Sequence, residues 1–248
     1  MIARLLPIIA WLFVVCGTAS ADDDVLVAVA SNFLPVAREL ADDFSNATGT
    51  PVRVSAASSG KLYAQVINGA PFDVLLSADE ERPMKLVERG DAVADSRFTY
   101  AVGRLVLWSG DPSLREADCL AALRSEAGRI SIANPQTAPY GRAATEFFDA
   151  AGLDVDSRLV TGENIAQALQ FAVRGGAQFG LLARAQSSML PAGGCRYDIP
   201  ATAHAPIRQQ AVLLTRATSN PAAGAFLDYL KTSARAQIAA AGYEFDDD

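Results

Sequence analysis

From residue 25 onward the sequence alternates short apolar runs with stretches of helical periodicity, and that alternation most narrows the folds open to it. Strands are expected at 25–30 (VLVAVA), 52–56 and 72–77, followed by helices at 33–46, 61–68 and 80–89 that stop near Gly49, Gly69 and Gly90. A strand at 100–108 precedes a second series: strands at 129–133, 158–160 and 179–183, with helices at 142–151 and 165–174. A long apolar strand at 207–215 and helical spacing over 221–241 complete the chain. Parallel neighbours cannot be joined by a tight turn; they need a crossover of a dozen or more residues, which a helix supplies. The pattern therefore predicts α/β, each group a mostly parallel sheet flanked by helices. Because the series restarts, two such groups are expected, joined near residues 100–104 and 205–208, with the last helices returning to the first group.

Residues 1–21 read MIARLLPIIAWLFVVCGTASA: one positive charge, an apolar run, then Ala19-Ser20-Ala21 as a small-residue cleavage site. This is the grammar of a secretory signal peptide, and the run at 5–15 is too short for the ~20 residues of a membrane span. The expected organisation is a signal at 1–21, a discontinuous first lobe of 22–103 plus 207–248, and a second lobe of 104–206. Loss of Arg4 with the signal leaves 20 Lys and Arg against 28 Asp and Glu, so the net charge moves from −7 to −8. A polyanion binder needs an excess of positive surface, which argues against nucleic acid as a partner. Cys16 also leaves, and Cys119 with Cys195, alone in an oxidising compartment, are expected to form a disulfide. The single histidine, His204, and the lack of a CxxC pair argue against a metal site, and His204 is expected on the surface or in a loop. An exported serine hydrolase is the weaker reading, because G-x-S-x-G is missing and His204 has no evident partner.

Four strand-to-helix junctions share one property. Ser31-Asn32, Ser58-Ser59-Gly60, Tyr140-Gly141 and Asn164-Ile165 each stand where a helix is expected to begin. The first N–H groups of a helix have no partner within it, and the helix dipole places about half a positive charge there. Such ends attract anions without lysine or arginine, and in open α/β sheets they cluster beyond the carboxyl ends of the strands. Ser and Asn are also ordinary N-caps, so a single junction signifies little; four, two in each group, could close around one small oxyanion. A fifth junction, Ser77-Ala78-Asp79-Glu80-Glu81, carries three carboxylates and reads as a helix cap only. Lys61 and Arg142 stand in first turns and could assist an anion, though such residues are more often solvated.

The segments VAVASNF, SAASSGKLYAQVINGAPFDVLLSADEE, ANPQTAPYGRAA, VTGENIAQAL and NPAAGAFLDYLKT, in this order, resemble the molybdate-binding proteins of bacterial ABC importers. The resemblance covers nearly all of the chain after the signal. It implies a two-lobe periplasmic-binding-protein fold of type II-like form, with a ligand cleft between lobes that closes on molybdate or tungstate. It further implies a periplasmic monomer that uses no cofactor and performs no catalysis, and whose partners are the membrane subunits of an ABC transporter. A receptor for sulfate or another small oxyanion is the nearest alternative. By the same resemblance, Ser31 and Asn32 donate from the end of the first strand, and Ser59 from the S-S-x-x-L segment. Tyr140 and Ile165 donate through their main-chain N–H groups. Ala183 stands where some members carry a tyrosine whose hydroxyl reaches the anion, which leaves Asn32 or Tyr140 to take its place.

Overall fold

The computed structural model describes residues 24–115, 118–125 and 127–246; the expected signal segment at 1–21 lies outside them. The strands are β1 (Val25–Ala30), β2 (Val52–Ala57), β3 (Val74–Ser77), β4 (Phe98–Gly103), β5 (Leu105–Ser109), β6 (Ile130–Ala133), β7 (Leu159–Gly162), β8 (Phe179–Ala183), β9 (Cys195–Asp198) and β10 (Ile207–Leu213). They form two sheets, ordered β2-β1-β3-β10-β4 and β7-β6-β8-β5-β9. In the first, β1 pairs in parallel with β2 and β3, while β10 runs antiparallel to both β3 and β4. In the second, β6 is parallel to β7 and β8, and β5 is antiparallel to β8 and β9. Each sheet is thus parallel but for one strand.

The reversed strand has a topological cause. The chain leaves the first sheet at the carboxyl end of β4, and β5 enters the second with Leu105 opposite Ala183, the last residue of β8. It returns with Ile207 opposite Gly103, the last residue of β4. A strand that enters a sheet at its carboxyl edge can only run against its neighbours. Both crossovers therefore lie at the edges where ligands bind in this class of sheet.

The helices are α1 (Leu34–Thr48), α2 (Ser59–Ile67), α3 (Glu81–Arg89), α4 (Cys119–Ser125), α5 (Pro139–Ala150), α6 (Ile165–Val173), α7 (Pro221–Lys231) and α8 (Arg235–Ala240). They cover both faces of the first sheet. Val25, Val27 and Val29 of β1 pack with Phe44 of α1 and Phe226 of α7, whereas Ala28 packs with Leu62 of α2 and Leu86 of α3. Burial on both faces is why β1 reads as an unbroken apolar run rather than an alternating one. The second sheet has a separate core around Leu107, Ile132, Phe147, Leu169 and Leu181. A disulfide joins Cys119 of α4 to Cys195 of β9, with Cα atoms 5.2 Å apart, as expected from the sequence.

Most boundaries shift by a residue or two from expectation, and three differences change the architecture. The run at 100–108 is two strands in different sheets, divided at Arg104. Helix α5 begins at Pro139 rather than 142, which puts Tyr140 inside its first turn. The run at 221–241 is two helices, α7 and α8, separated at 232–234. Among the described residues no helix is long and apolar enough to cross a membrane.

Candidate functional site

Strands β1 and β2 end side by side, Ala30 opposite Ala57, so α1 and α2 start as neighbours. Strands β6 and β7 end likewise, Ala133 opposite Gly162, which brings together the starts of α5 and α6. The two edges meet. Gly60 N–H at the start of α2 donates to the Thr137 carbonyl before α5 (2.8 Å), and Lys61 pairs with Glu163 before α6 (2.8 Å). On the side of α1, Gln209 of β10 donates through Nε2 to the Tyr140 hydroxyl (3.4 Å) and accepts at Oε1 from Asn32 Nδ2 (2.8 Å). The structure thus gathers the four junctions around one closed cleft, with Ser31, Asn32, Ser59, Tyr140 and Ile165 all buried.

Each junction keeps an amide free. The N–H groups of Asn32, Ser59, Tyr140 and Ile165 have no hydrogen-bond partner among the described residues. The local sequence explains this. Helix α1 follows Phe33 with no side-chain cap, and Pro35 has no N–H to offer. Ser58, at the N-cap of α2, is extended (φ −69°, ψ 149°), yet its hydroxyl does not turn back to the helix. Ala138 cannot cap α5, and Pro139 leaves Tyr140 as the first amide of that helix. Gly141 is required beside it, because a Cβ would collide with the Ala133 carbonyl at the end of β6. Of the helices at the four junctions, α6 alone has a side-chain cap among the described residues: Asn164 Oδ1 accepts from Gln167 N–H (3.0 Å) and Gln167 Oε1 accepts from Glu163 N–H (2.6 Å). This reciprocal pair satisfies two donors and still leaves Ile165. Buried amides without partners are rare in folded proteins, and four at helix N-termini, each with its dipole, are chemically suited to receive an anion.

The side chains divide into donors and supports. Ser59 Oγ accepts from Ala78 N–H (2.9 Å), so its own proton remains to be donated. At the fifth junction this contact takes the Ala78 amide, and Asp79 Oδ1 caps α3 by accepting from Arg82 N–H (3.1 Å). Ser31 N–H is spent on the Ala57 carbonyl (3.0 Å), but its Oγ makes no hydrogen bond with the described residues. Asn32 turns its amide away, to Gln209 and to the Tyr243 hydroxyl (3.1 Å), and can offer only its main chain. The Tyr140 phenol is likewise engaged by Gln209, so this residue too has only its amide to offer. Burial pushes the Tyr100, Tyr140 and Tyr243 phenols well above their usual range, so they remain protonated hydrogen-bonding groups. Two hydroxyls, Ser58 Oγ of the second junction and Thr137 Oγ1, are buried without a hydrogen-bond partner among the described residues, and sequence reasoning did not name Thr137 as a donor. The Ser58-Ser59 tandem was the sequence signal for the first, and the ANPQTAPYGRAA segment contains the second.

The charged residues nearby neutralise one another. Lys61 is held by Glu163, and Arg142 by Glu81 (3.3 Å), so neither cation is free for a ligand and Glu163 does not confront one. Asp79 is paired with Arg82. An open groove of about 470 Å³ lies beside the cleft between Asp79, Glu81, Arg142, Glu146 and Arg208, and its carboxylates suit it poorly to an anion. Ala183 carries no polar group, and its N–H donates to Gln186 Oε1 (3.3 Å). His204 lies in a loop, one of the two positions expected for it, and is buried there, with Nδ1 on the Ala205 carbonyl (2.7 Å). No serine or carboxylate adjoins its ring nitrogens in a hydrogen-bonded array among the described residues. Among the described residues no three His, Cys, Asp or Glu side chains gather to hold a metal ion either.

Comparison with known proteins gives a consistent picture. Residues 25–244 match the family model described as bacterial extracellular solute-binding protein. The molybdate-binding protein ModA of Azotobacter vinelandii is 43% identical over 233 residues, covering 92% of each chain. That of Rhodobacter capsulatus is 43% identical over 221 residues, 88% of this chain and 87% of the relative. Among solved structures, the Azotobacter vinelandii periplasmic molybdate-binding protein superposes with a TM-score of 0.83 at 39% identity, covering 90% of this chain and 100% of that one. The chain belongs to the bacterial extracellular solute-binding proteins.

Proposed function

We propose that the chain is a periplasmic receptor that binds molybdate, and tungstate with it, and delivers the anion to the membrane subunits of an ABC importer. The observation that carries this reading is the ring of four unpartnered amides, Asn32, Ser59, Tyr140 and Ile165, with the Ser31 and Ser59 hydroxyls among them. The names of relatives 43% identical over about nine-tenths of the chain point to the same ligand. The moving parts are a first lobe of residues 22–103 plus 207–248 and a second of 104–206, hinged at the two crossovers; the membership of the sheets supports this division. The protein acts as a monomer after removal of residues 1–21, needs no cofactor and catalyses no reaction.

The chemistry is desolvation and replacement. A tetrahedral dianion leaves its hydration shell and takes up charge-assisted hydrogen bonds from neutral donors already fixed in place. Such donors select the charge state: protonated phosphate brings a proton that needs an acceptor, and a cage of donors supplies few. They also select size. Sulfate carries the same charge on shorter bonds, so its oxygens fall short of donors spaced for molybdate, whereas tungstate is nearly the size of molybdate. Titration calorimetry of the chain from Asp22 onward with molybdate, tungstate, sulfate and phosphate tests the reading. Tight, similar binding of the first two is expected; a preference for sulfate would make the chain a receptor for the smaller anion instead.

A further inference from the structure

We infer that Gln209 is a positioning residue that sets the anion-holding amides of the two lobes relative to one another, through a buried polar relay at the crossover. The inference rests on the oxyanion reading for what those amides hold. Gln209 is fully buried in β10, the strand that returns from the second lobe. Pairing with β4 shifts register between Gln209 and Gln210, where Tyr100 of β4 is left without a partner residue, and the two adjacent glutamines point to opposite faces of the sheet. Gln210 turns to Arg97 (2.6 Å), and Gln209 turns inward. Its Oε1 accepts from Asn32 Nδ2 (2.8 Å) and from the Tyr100 hydroxyl (3.1 Å), both in the first lobe. Its Nε2 donates to the hydroxyl of Tyr140, in the second (3.4 Å).

Each end of this amide reaches a main chain that carries a proposed ligand donor. Asn32 is gripped twice by Tyr243, whose hydroxyl accepts from Nδ2 (3.1 Å) and donates to the Asn32 carbonyl (2.9 Å). Tyr140 is held at the far side, its ring inserted where β4 crosses to β5. A Cβ on Gly103 would collide with the Tyr140 hydroxyl and approach Gln209 Nε2 to 2.9 Å, so glycine at the end of β4 makes the slot. The aromatic rings fix the rest: Phe33, next to Asn32, packs edge-on against Tyr100 (4.8 Å) and Tyr243 (5.3 Å). An apolar residue at 209 could fill the space, but it would strand the Tyr140 hydroxyl, leaving Asn32 Nδ2 to Tyr243 and the Tyr100 hydroxyl to the Ser77 carbonyl (3.3 Å). One side chain therefore ties the junction of β1 and α1 to that of β6 and α5. Preorganised donors gain most when their spacing is fixed before the ligand arrives.

Tyr140→Phe removes the linking oxygen and keeps both the ring and the main-chain N–H. The experiment measures its affinity for molybdate by calorimetry and, without ligand, the hydrogen exchange of the Ser31 and Phe33 amides of the first lobe, which are bonded within that lobe to the Ala57 and Ala30 carbonyls. The expected results are affinity weaker by roughly five- to tenfold, the worth of one hydrogen bond in a buried network, and faster exchange at those two amides. Gln209→Ala is expected to do the same, and the double variant to exceed neither single change by much, since both cut one relay. Unchanged exchange at Ser31 and Phe33 in Tyr140→Phe overturns the relay, whatever the affinity does and whether or not Gln209→Ala folds. Failure of the unaltered protein to bind molybdate overturns the oxyanion reading instead, and the exchange comparison still decides the coupling.

Discussion

Replacing Ser59 by alanine separates the two tasks its hydroxyl performs. The oxygen is buried and accepts from the Ala78 amide at 2.9 Å, while its proton is the one assigned to the anion. Without the oxygen, Ala78 N–H becomes a buried unpaired donor, which costs about 1–3 kcal/mol of stability. In a chain of this length each kcal/mol lowers the thermal midpoint by roughly 2–4 °C, so a fall of roughly 2–12 °C is expected without ligand. The lost proton removes a hydrogen bond to a charged ligand, worth about 1.5–3 kcal/mol, or roughly 10- to 150-fold in Kd. Differential scanning calorimetry of the free protein reads the first effect and titration with molybdate the second. If the midpoint fell while Kd stayed put, Ser59 would be a support for Ala78 and nothing more, and the donor ring would lose a member.

Three other perturbations probe the surroundings. Lys61→Met and Arg142→Met each cut a cross-cleft ion pair that is largely exposed, so each should weaken molybdate binding by about fivefold or less, and less still at high salt; a loss near a hundredfold would mean that the cation touches the ligand. Reduction of Cys119–Cys195 reopens a loop closed across a sequence separation of 76, for which loop entropy gives about 4.5 kcal/mol, and should lower the thermal midpoint by roughly 9–18 °C. An unchanged midpoint would show that the bond constrains nothing. The Arg104 and Arg184 guanidinium groups hold the Glu244 carboxyl below its usual value of 4.5. A depressed carboxylate stabilises the fold above its unfolded-state value and loses that contribution as pH falls through the folded one. Thermal midpoints should therefore fall as pH drops below about 4.5, and less steeply in Glu244→Gln, a difference that a pH series by scanning calorimetry checks.

Much of the frame was legible because its strands are buried on both faces. Val25–Ala30 and Phe179–Ala183 read with their observed bounds, since an apolar run framed by turn residues has few other structures open to it. The break at Arg104 was not legible: apolar residues continue on both sides, and the change of sheet is fixed by pairing with β8 and β10, which lie far along the chain. Strand β9, with the sequence CRYD, is short and at a sheet edge, so it lacks the apolar signal and depends on β5. The free amides could be anticipated because capping is local chemistry, settled within a few residues. The orientation of Asn32 could not. Its partners stand 177 and 211 residues away, and only the fold decides that its side chain supports the site from behind.

The most direct measurement is a crystal structure of the molybdate complex with the metal located by its anomalous scattering at the molybdenum edge. One peak is expected between the lobes, with oxygens in hydrogen-bond reach of the Asn32, Ser59, Tyr140 and Ile165 amides and the Ser31 and Ser59 hydroxyls. A peak in the groove by Arg142 and Arg208, or an anion gripped mainly by Lys61 or an arginine, would contradict a site built from uncharged donors.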